Sequence, residues 1–249
     1  MMKKLYDKSK ICFAVAWIIA YCVLMSAGDA LSAVLGAEKS VTLAVGLLLS
    51  AALLLFLGKN GLLEAYGLCR QKVSAREMLY YIPVLVILTA NLWYGVTLNH
   101  GVRETVLYIL SMLCVGFLEE VIFRGLLFEA MRGDSVRAAV IVSSVTFGIG
   151  HIINLVNGSG VELLPNLLQV VYATAAGFMF VMIYLKSKSL LICIAAHGMF
   201  NAVSVFANEA AATQGMRILT AVLLTVITGA YAVYLARSMK EIWGEINDT

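Results

Sequence analysis

Three short motifs place polar side chains inside strongly apolar stretches of this 249-residue chain. The first contains the adjacent carboxylates Glu119 and Glu120. The second ends at His151, and the third is His197-x-x-x-Asn201. A carboxylate and an imidazole can together hold and deprotonate a water molecule, and a second histidine with an amide can donate hydrogen bonds to a developing oxyanion. The set therefore suits hydrolysis of an amide bond.

Helical spacing brings the members of each motif to one face of a helix. Residues four apart are neighbours on a helix surface, so Glu120 can pair with Arg124, while Glu119 points elsewhere. The same spacing relates Phe147 to His151 and recurs within the third motif. Three polar stripes can then converge on one cavity if the helices pack closely. Small residues suited to close packing are Gly148, Gly150, Gly198 and Ala173-x-x-x-Gly177.

The same residue types could instead form a metal site. Glu119, His151 and His197 could bind zinc and keep a fourth position for water. The chain lacks HExxH, the usual helical zinc signature, and its five cysteines form no CxxC pair. Zinc is thus the one cofactor that the sequence suggests, as an alternative to a metal-free mechanism.

Composition decides the kind of scaffold that holds these side chains. Of the residues, 61% are hydrophobic and 13% are charged, and mean hydropathy is +0.91. Average soluble domains are about 45–50% apolar and about 25% charged. Two prolines and long apolar runs favour helices over a membrane β-barrel, which would show short alternating segments. We predict an all-α polytopic membrane bundle, one domain over residues 1–249 with a catalytic core at about 105–208.

Eight stretches are long enough to span a membrane, which takes about 20 mostly apolar residues. They are roughly 11–35, 40–57, 79–98, 105–127, 137–156, 163–185, 189–208 and 217–236. Cytoplasmic segments of membrane proteins are rich in Lys and Arg. With the N-terminus in the cytoplasm, all 18 basic residues except Lys39, Arg103 and Arg217 fall on the cytoplasmic side. Both termini are therefore predicted to be cytoplasmic.

The ordered set of motifs resembles the CPBP (Abi) family of intramembrane proteases. This family includes the Rce-type CAAX prenyl endopeptidases and bacterial relatives tied to bacteriocin processing and immunity. All three motifs occur in order on separate apolar helices, and residues 64–68 resemble a segment often found upstream in the family. The motifs span about residues 119–201, and the predicted eight-helix frame extends the resemblance over most of the chain.

The resemblance implies a role for each motif residue. Glu119 and His151 would position and activate the attacking water. His197 and Asn201 would stabilise the tetrahedral oxyanion, and the second glutamate and the arginine of the first motif would orient the site. The family is described both as metalloproteases and as glutamate proteases, and we favour the metal-free mechanism.

The predicted function is a membrane-embedded endopeptidase. Its substrate would be a membrane-associated peptide or a prenylated protein C-terminus, delivered from the cytoplasm or the bilayer. A proton-coupled transporter would use similar buried residues, although no inverted repeat is evident. A non-catalytic scaffold or bacteriocin immunity protein is the third class. The net charge of +3 does not indicate a nucleic-acid partner, so we expect a peptide or lipidated protein and the lipid bilayer, in a bacterial cell membrane.

Overall fold

Apolar runs form helices in this chain because a backbone in lipid must satisfy its polar groups within its own segment. The structure, a computed structural model, describes residues 2–157 and 160–239. The α-helices, numbered in chain order, are α1 Met2–Lys8, α2 Lys10–Val34, α3 Ser40–Lys59, α4 Ala75–Met78, α5 Tyr81–Ala90, α6 Val102–Glu120, α7 Glu129–Arg132, α8 Val136–Gly150, α9 Leu163–Ser187, α10 Leu191–Val203 and α11 Gln214–Ser238.

Three helices change their winding near the polar motifs. α6 continues as a π-helix over Val121–Phe128, which leads directly into α7. α8 continues as a 3₁₀ helix over His151–Leu155, and α10 as a 3₁₀ helix over Ser204–Phe206. A separate 3₁₀ turn covers Glu209–Ala211. The predicted all-α class is confirmed for the described ranges, whose one extended pairing is an isolated bridge between residues 96 and 207.

Within residues 2–157 and 160–239, six helical segments are long and apolar enough to cross a membrane. They are Lys10–Val34, Ser40–Lys59, Val102–Arg132, Val136–Leu155, Leu163–Ser187 and Gln214–Ser238. The predicted third and seventh spans correspond to the shorter apolar helices Tyr81–Ala90 and Leu191–Phe206. The eight apolar helices thus occur in the predicted order, with two of them shorter than the hydropathy indicated.

Polar side chains explain why the third apolar helix ends early. Asn91, which follows α5, donates its Nδ2 group to the carbonyl oxygen of Phe200 at 2.7 Å. Asn99 donates in the same way to the carbonyl oxygens of Val205 and Ala207, at 2.9 and 3.0 Å. The chain after α5 therefore folds over the end of the α10 segment and does not continue as a helix.

The two ends of the bundle differ in charge. We call one the basic end; its basic residues in the described helix ends and loops are Lys3, Lys4, Lys8, Lys10, Lys59, Arg70, Lys72, Arg76, Arg132, Arg137, Lys186, Lys188 and Arg237. Lys240, assigned to the same side from the sequence, lies outside the described residues. The other end, which we call the opposite end, has Lys39, Arg103 and Arg217 as its described basic residues.

Residues 60–74, which we call the floor loop, cover the basic end. Tyr66 is 4% exposed, and its hydroxyl donates a hydrogen bond to the Tyr6 hydroxyl at 2.9 Å. The Leu190 amide donates to the Gly67 carbonyl oxygen at 2.8 Å. Burial raises the pKa of Tyr66 well above its usual value, and the hydrogen bond to Tyr6 adds to this shift. The Tyr66 hydroxyl at the basic end therefore stays uncharged.

Candidate active site

The first motif lies where α6 changes into the π-helix. Glu119 and Glu120 are the last two residues of α6, and Arg124 lies in the π-helix that follows. Glu120 and Arg124 are 0% exposed, and the Arg124 Nη1 atom lies 3.2 Å from the Glu120 Oε1 atom. The spacing of four residues thus produces the ion pair expected from the sequence. Sequence periodicity gave no sign of the π-helix, a form of winding that is frequent at functional sites.

His197, on α10, lies between the two carboxylates of the first motif. Its Nδ1 atom is 2.8 Å from the Glu120 Oε1 atom, and its Nε2 atom is 3.3 Å from the Glu119 Oε2 atom. The contact with Glu120 fixes the orientation of the ring, much as a carboxylate orients a histidine that binds a metal. The sequence placed His197 near Asn201 but did not indicate that it touches both glutamates.

Tyr21, on α2, completes the surroundings of Glu119. Its buried hydroxyl donates a hydrogen bond to the Glu119 Oε1 atom at 2.6 Å. The other carboxylate oxygen, Oε2, is buried and has no hydrogen-bond partner among the described residues. Tyr21 was missed in the sequence because one tyrosine in an apolar span carries no spacing signal. It holds one oxygen of Glu119 and leaves the other directed at His197.

Two phenylalanine rings enclose the basic members of the group. The guanidinium carbon of Arg124 lies 4.0 Å from the centroid of the Phe147 ring and 5.5 Å from that of Phe180. His197 stacks on Phe180 at 5.7 Å and meets Phe147 edge-on at 5.6 Å. Such cation–π contacts stabilise a desolvated charge by about 2 kcal/mol. Phe147 belongs to a motif, whereas Phe180 was missed because it looks like any apolar residue of α9.

His151 lies at the point where α8 becomes a 3₁₀ helix. The sequence placed it near the middle of its span, but it begins the last turn before Leu155. Its ring meets Phe147 edge-on at 5.4 Å, and its carbonyl oxygen accepts a hydrogen bond from Asn166 Nδ2 at 2.8 Å. His151 is half-buried, so it is more accessible than either glutamate.

Two cavities meet at Phe147 and His151. The first, which we call the polar cavity, is also lined by Glu119 and Tyr21 and has a volume of about 630 Å³. The second, which we call the apolar cavity, has a volume of about 530 Å³; its walls are mostly apolar, and its polar lining residues are His151, Gln169, Tyr172, His197, Asn201 and Thr228. The residues predicted to activate water thus share one cavity, and the residues predicted to bind the oxyanion share the other with His151.

The residues suggested for zinc do not form a compact ligand set. No group of three His, Cys, Asp or Glu side chains in residues 2–157 and 160–239 is arranged to hold a metal ion. Both nitrogens of His197 face carboxylates, and the Nδ1 contact with Glu120 is at hydrogen-bond distance. Glu119, His151 and His197 are therefore not arranged as the zinc site considered from the sequence.

A comparison with known protein families gives a match to the central part of the chain. Residues 101–203 match the family model described as type II CAAX prenyl endopeptidase Rce1-like. This segment contains all six residues predicted to form the site. The resemblance to the Rce-type family is thereby confirmed over these residues. Neither the curated proteins nor the solved structures include a significant match.

Proposed function

Because residues 101–203 match the Rce1-like endopeptidases, we propose that this chain is a membrane-embedded endopeptidase that cleaves a peptide bond in a membrane-associated polypeptide. The observation that carries this proposal is the joint position of Glu119 and His151. They come from different helices and line one cavity, with His197 at 3.3 Å from Glu119. A carboxylate and an imidazole in this arrangement can act on one water molecule.

The water is activated in the polar cavity. Tyr21 holds the Glu119 Oε1 atom, so the Oε2 atom is free to accept a proton from water. His151 accepts a second hydrogen bond from the same water and directs its oxygen towards the carbonyl carbon of the substrate. The new C–O bond forms as the proton moves to Glu119, and the carbonyl oxygen becomes the oxyanion.

The oxyanion is stabilised from the apolar cavity. His197 and Asn201 line it together, so the Asn201 amide can donate to the oxyanion directly, and His197 can do so once its Nε2 side turns from Glu119, 3.3 Å away, to the substrate. A fixed donor of this kind contributes about 2.7–4 kcal/mol to transition-state stabilisation. The tetrahedral intermediate then breaks its C–N bond, and the proton held by Glu119 passes to the leaving nitrogen. The products are a carboxylic acid and an amine, and Glu119 is ready for another cycle.

Glu120 and Arg124 act through His197. Glu120 binds the Nδ1 side of the ring, so Nε2 is directed towards Glu119. Arg124 balances the charge of Glu120, and the faces of two aromatic rings surround the guanidinium. Truncating one partner of a buried ion pair costs about 3–5 kcal/mol, so we assign this pair to positioning and not to the chemical step.

Substitution of the water-activating residues tests the proposed function. In reconstituted protein, Glu119→Gln and His151→Ala should each lower the cleavage rate of a susceptible peptide by about 10²–10⁴-fold, the usual range for a lost acid–base group. Glu64→Gln is the matched control, because Glu64 is exposed on the floor loop and pairs with Lys72. Wild-type rates in both site variants would refute the assignment.

Metal removal tests the metal-free mechanism separately. We expect protein treated with a strong chelator, with metal content then measured, to cleave at the rate of untreated protein. Loss of activity that returns when zinc is added back would instead favour a metal ion bound by the site residues.

A further inference from the structure

The two cavities lie towards one end of the bundle. His151 is followed by a single helical turn that ends at Leu155, and Asn201 lies close to the end of the segment at Phe206. Both of these helix ends belong to the opposite end of the bundle. The site residues nearest to this end are also the most accessible, since His151 and Asn201 are half-buried.

Exposure falls steadily towards the basic end. Glu119 and His197 are 8% and 6% exposed, whereas Glu120 and Arg124 are 0% exposed. Every residue of the π-helix, Val121–Phe128, is buried. The site is therefore accessible on the side of His151, towards the opposite end, and closed on the side of Arg124, towards the basic end.

Two further spaces adjoin the apolar cavity in the direction of the opposite end. Tyr172 and Leu224 line both it and a second space of about 810 Å³, which extends to Arg217. Val161 and Arg217 in turn line both that space and a third of about 1210 Å³ between the connections at the opposite end. The shared lining residues place these three spaces in a row from Asn201 to the opposite end, and we call this row the funnel.

The polar cavity leads to the same end. Besides Glu119 and His151, its walls include Asp29 and Thr42, which are hydrogen-bonded to each other near the outer ends of α2 and α3. Lys39, one of the few basic residues at this end, binds the same Asp29 carboxylate at 2.8 Å. Polar walls from Asp29 down to Glu119 suit a path for water.

Towards the basic end, a groove of about 840 Å³ lined by Arg137, Met182 and Ala236 lies between α8, α9 and α11, but it shares no lining residue with either cavity of the site. Residues 179–185 of α9 are all buried, and the floor loop packs beneath the helices. Tyr66 lies under Gly125 of the π-helix, and a side-chain carbon added to Gly125 would be 3.8 Å from the Tyr66 ring. Large apolar side chains thus fill the space between the site and the basic end.

We propose that the substrate reaches the site from the opposite end, through the funnel, while water enters along the polar cavity. This inference rests on the proposed endopeptidase activity. Since the basic loops of membrane proteins face the cytoplasm, the substrate is a polypeptide segment on the non-cytoplasmic side, such as the exported part of a membrane-anchored peptide. An apolar stretch of that segment enters the funnel. A prenylated C-terminus in the cytoplasm would meet the closed end.

Two native cysteines provide a test of the side of access. Cys22 lines the polar cavity, and Cys69 lies in the floor loop. Two variants are needed, one that keeps Cys22 and one that keeps Cys69. In both, the other of these two cysteines, Cys12 and Cys114 are replaced by Ala. The fully buried Cys193 is retained in both variants. A membrane-impermeant thiol reagent is then added to intact cells and to inverted vesicles. The variant that retains Cys193 alone measures the background.

We expect Cys22 to react from outside in intact cells and Cys69 to react only in inverted vesicles. Gln169→Cys, in the variant without Cys22 and Cys69, repeats the test in the apolar cavity, which Gln169 lines. Reaction of both cavity cysteines on the same side as Cys69 would overturn the proposal. So would failure of both to react from either side while detergent-denatured protein reacts fully.

The side of access can be separated from the activity. The Glu119→Gln variant should show the same labelling pattern as protein with Glu119 intact, because labelling needs no catalysis. An incorrect endopeptidase assignment would leave this pattern unchanged, whereas an incorrect route would change it. In active protein, reagent on Cys22 should also stop cleavage of a peptide supplied from outside.

Discussion

His197 is the residue on which the proposed chemistry converges. Its two nitrogens face two different carboxylates, at 2.8 Å from Glu120 and 3.3 Å from Glu119. The Glu120 Oε1 atom also lies 3.2 Å from the Arg124 Nη1 atom, and this pairing matters because uncompensated charges are costly to bury. Glu119 is therefore the carboxylate that faces both the His197 ring and the polar cavity.

Tyr21 allows the role of Glu119 to be tested without removing the carboxylate. Tyr21→Phe deletes the hydroxyl that donates to the Glu119 Oε1 atom at 2.6 Å. A hydrogen bond to a charged group contributes about 1.5–3 kcal/mol. If it acts in the transition state, kcat should fall by about 10–100-fold, with little change in KM. Steady-state kinetics on reconstituted protein would measure both values.

Tyr231→Phe is the matched control for this substitution. The Tyr231 hydroxyl donates to the Met78 carbonyl oxygen at 2.6 Å, away from the site, so its loss should leave kcat unchanged. Equal kcat values for Tyr21→Phe and wild type would show that Tyr21 does not position Glu119.

At the scale of secondary structure, close contacts between helices bring the motifs together. Gly148 lies against Thr174, and Gly177 lies against the backbone of Ser144, so α8 and α9 meet closely as the small residues indicated. Gly150, in contrast, has open space around its α-carbon and lines the polar cavity. Small residues in a span therefore do not all mark helix contacts.

The contact between α6 and α10 holds His197 next to the glutamates. It is made by Gly116, which was not singled out from the sequence. A side-chain carbon on Gly116 would lie 2.5 Å from the α-carbon and the backbone nitrogen of Gly198. Gly116→Ala must therefore push α10 away from α6. A misplacement of about 1 Å can lower a catalytic rate by about 10²-fold, and we expect a loss of that size in peptide cleavage.

Gly229→Ala is the matched control for the helix contact. Gly229 lies in α11 and has no heavy atom within 4 Å of an added side-chain carbon. This substitution should keep the cleavage rate and stabilise the helix by about 0.5–1 kcal/mol. Wild-type cleavage by folded Gly116→Ala would mean that the contact does not set the site geometry.

The two ends of the whole molecule differ in how far they give access to the site. The floor loop closes the basic end, and cavities open towards the opposite end. Gly67 belongs to the closure, because its φ is +72° and an added side-chain carbon would overlap the ring of Tyr184. Residues 64–68, which resemble a segment often found in the family, thus help to close the basic end of the bundle.

Gly67→Ala should destabilise the protein for two reasons. The left-handed backbone costs a residue other than glycine about 1–2 kcal/mol, and overpacking adds about 1–3 kcal/mol. Gly61→Ala is the control, since Gly61 has φ of +66° and open space around it, so only the backbone cost applies. Thermal unfolding in detergent should show the larger drop for Gly67→Ala. Equal drops would mean that the floor is not tightly packed.

The features that could be predicted from the amino-acid order are local and periodic. Long apolar runs indicated helices because lipid offers the backbone no other partners. A spacing of four residues indicated the Glu120–Arg124 pair, and the order of the motifs indicated the family. These features depend on neighbours along one helix, and hydropathy and spacing describe such neighbours well.

Contacts between side chains on different helices became evident from the folded structure alone. The contacts of His197 with both glutamates, the hydrogen bond from Tyr21, the ring of Phe180 and the π-helix have no periodic signal. The same is true of the end at which the cavities open. Each depends on how helices distant in sequence approach one another, to within the size of a single side-chain carbon, and hydropathy and residue spacing do not describe that distance.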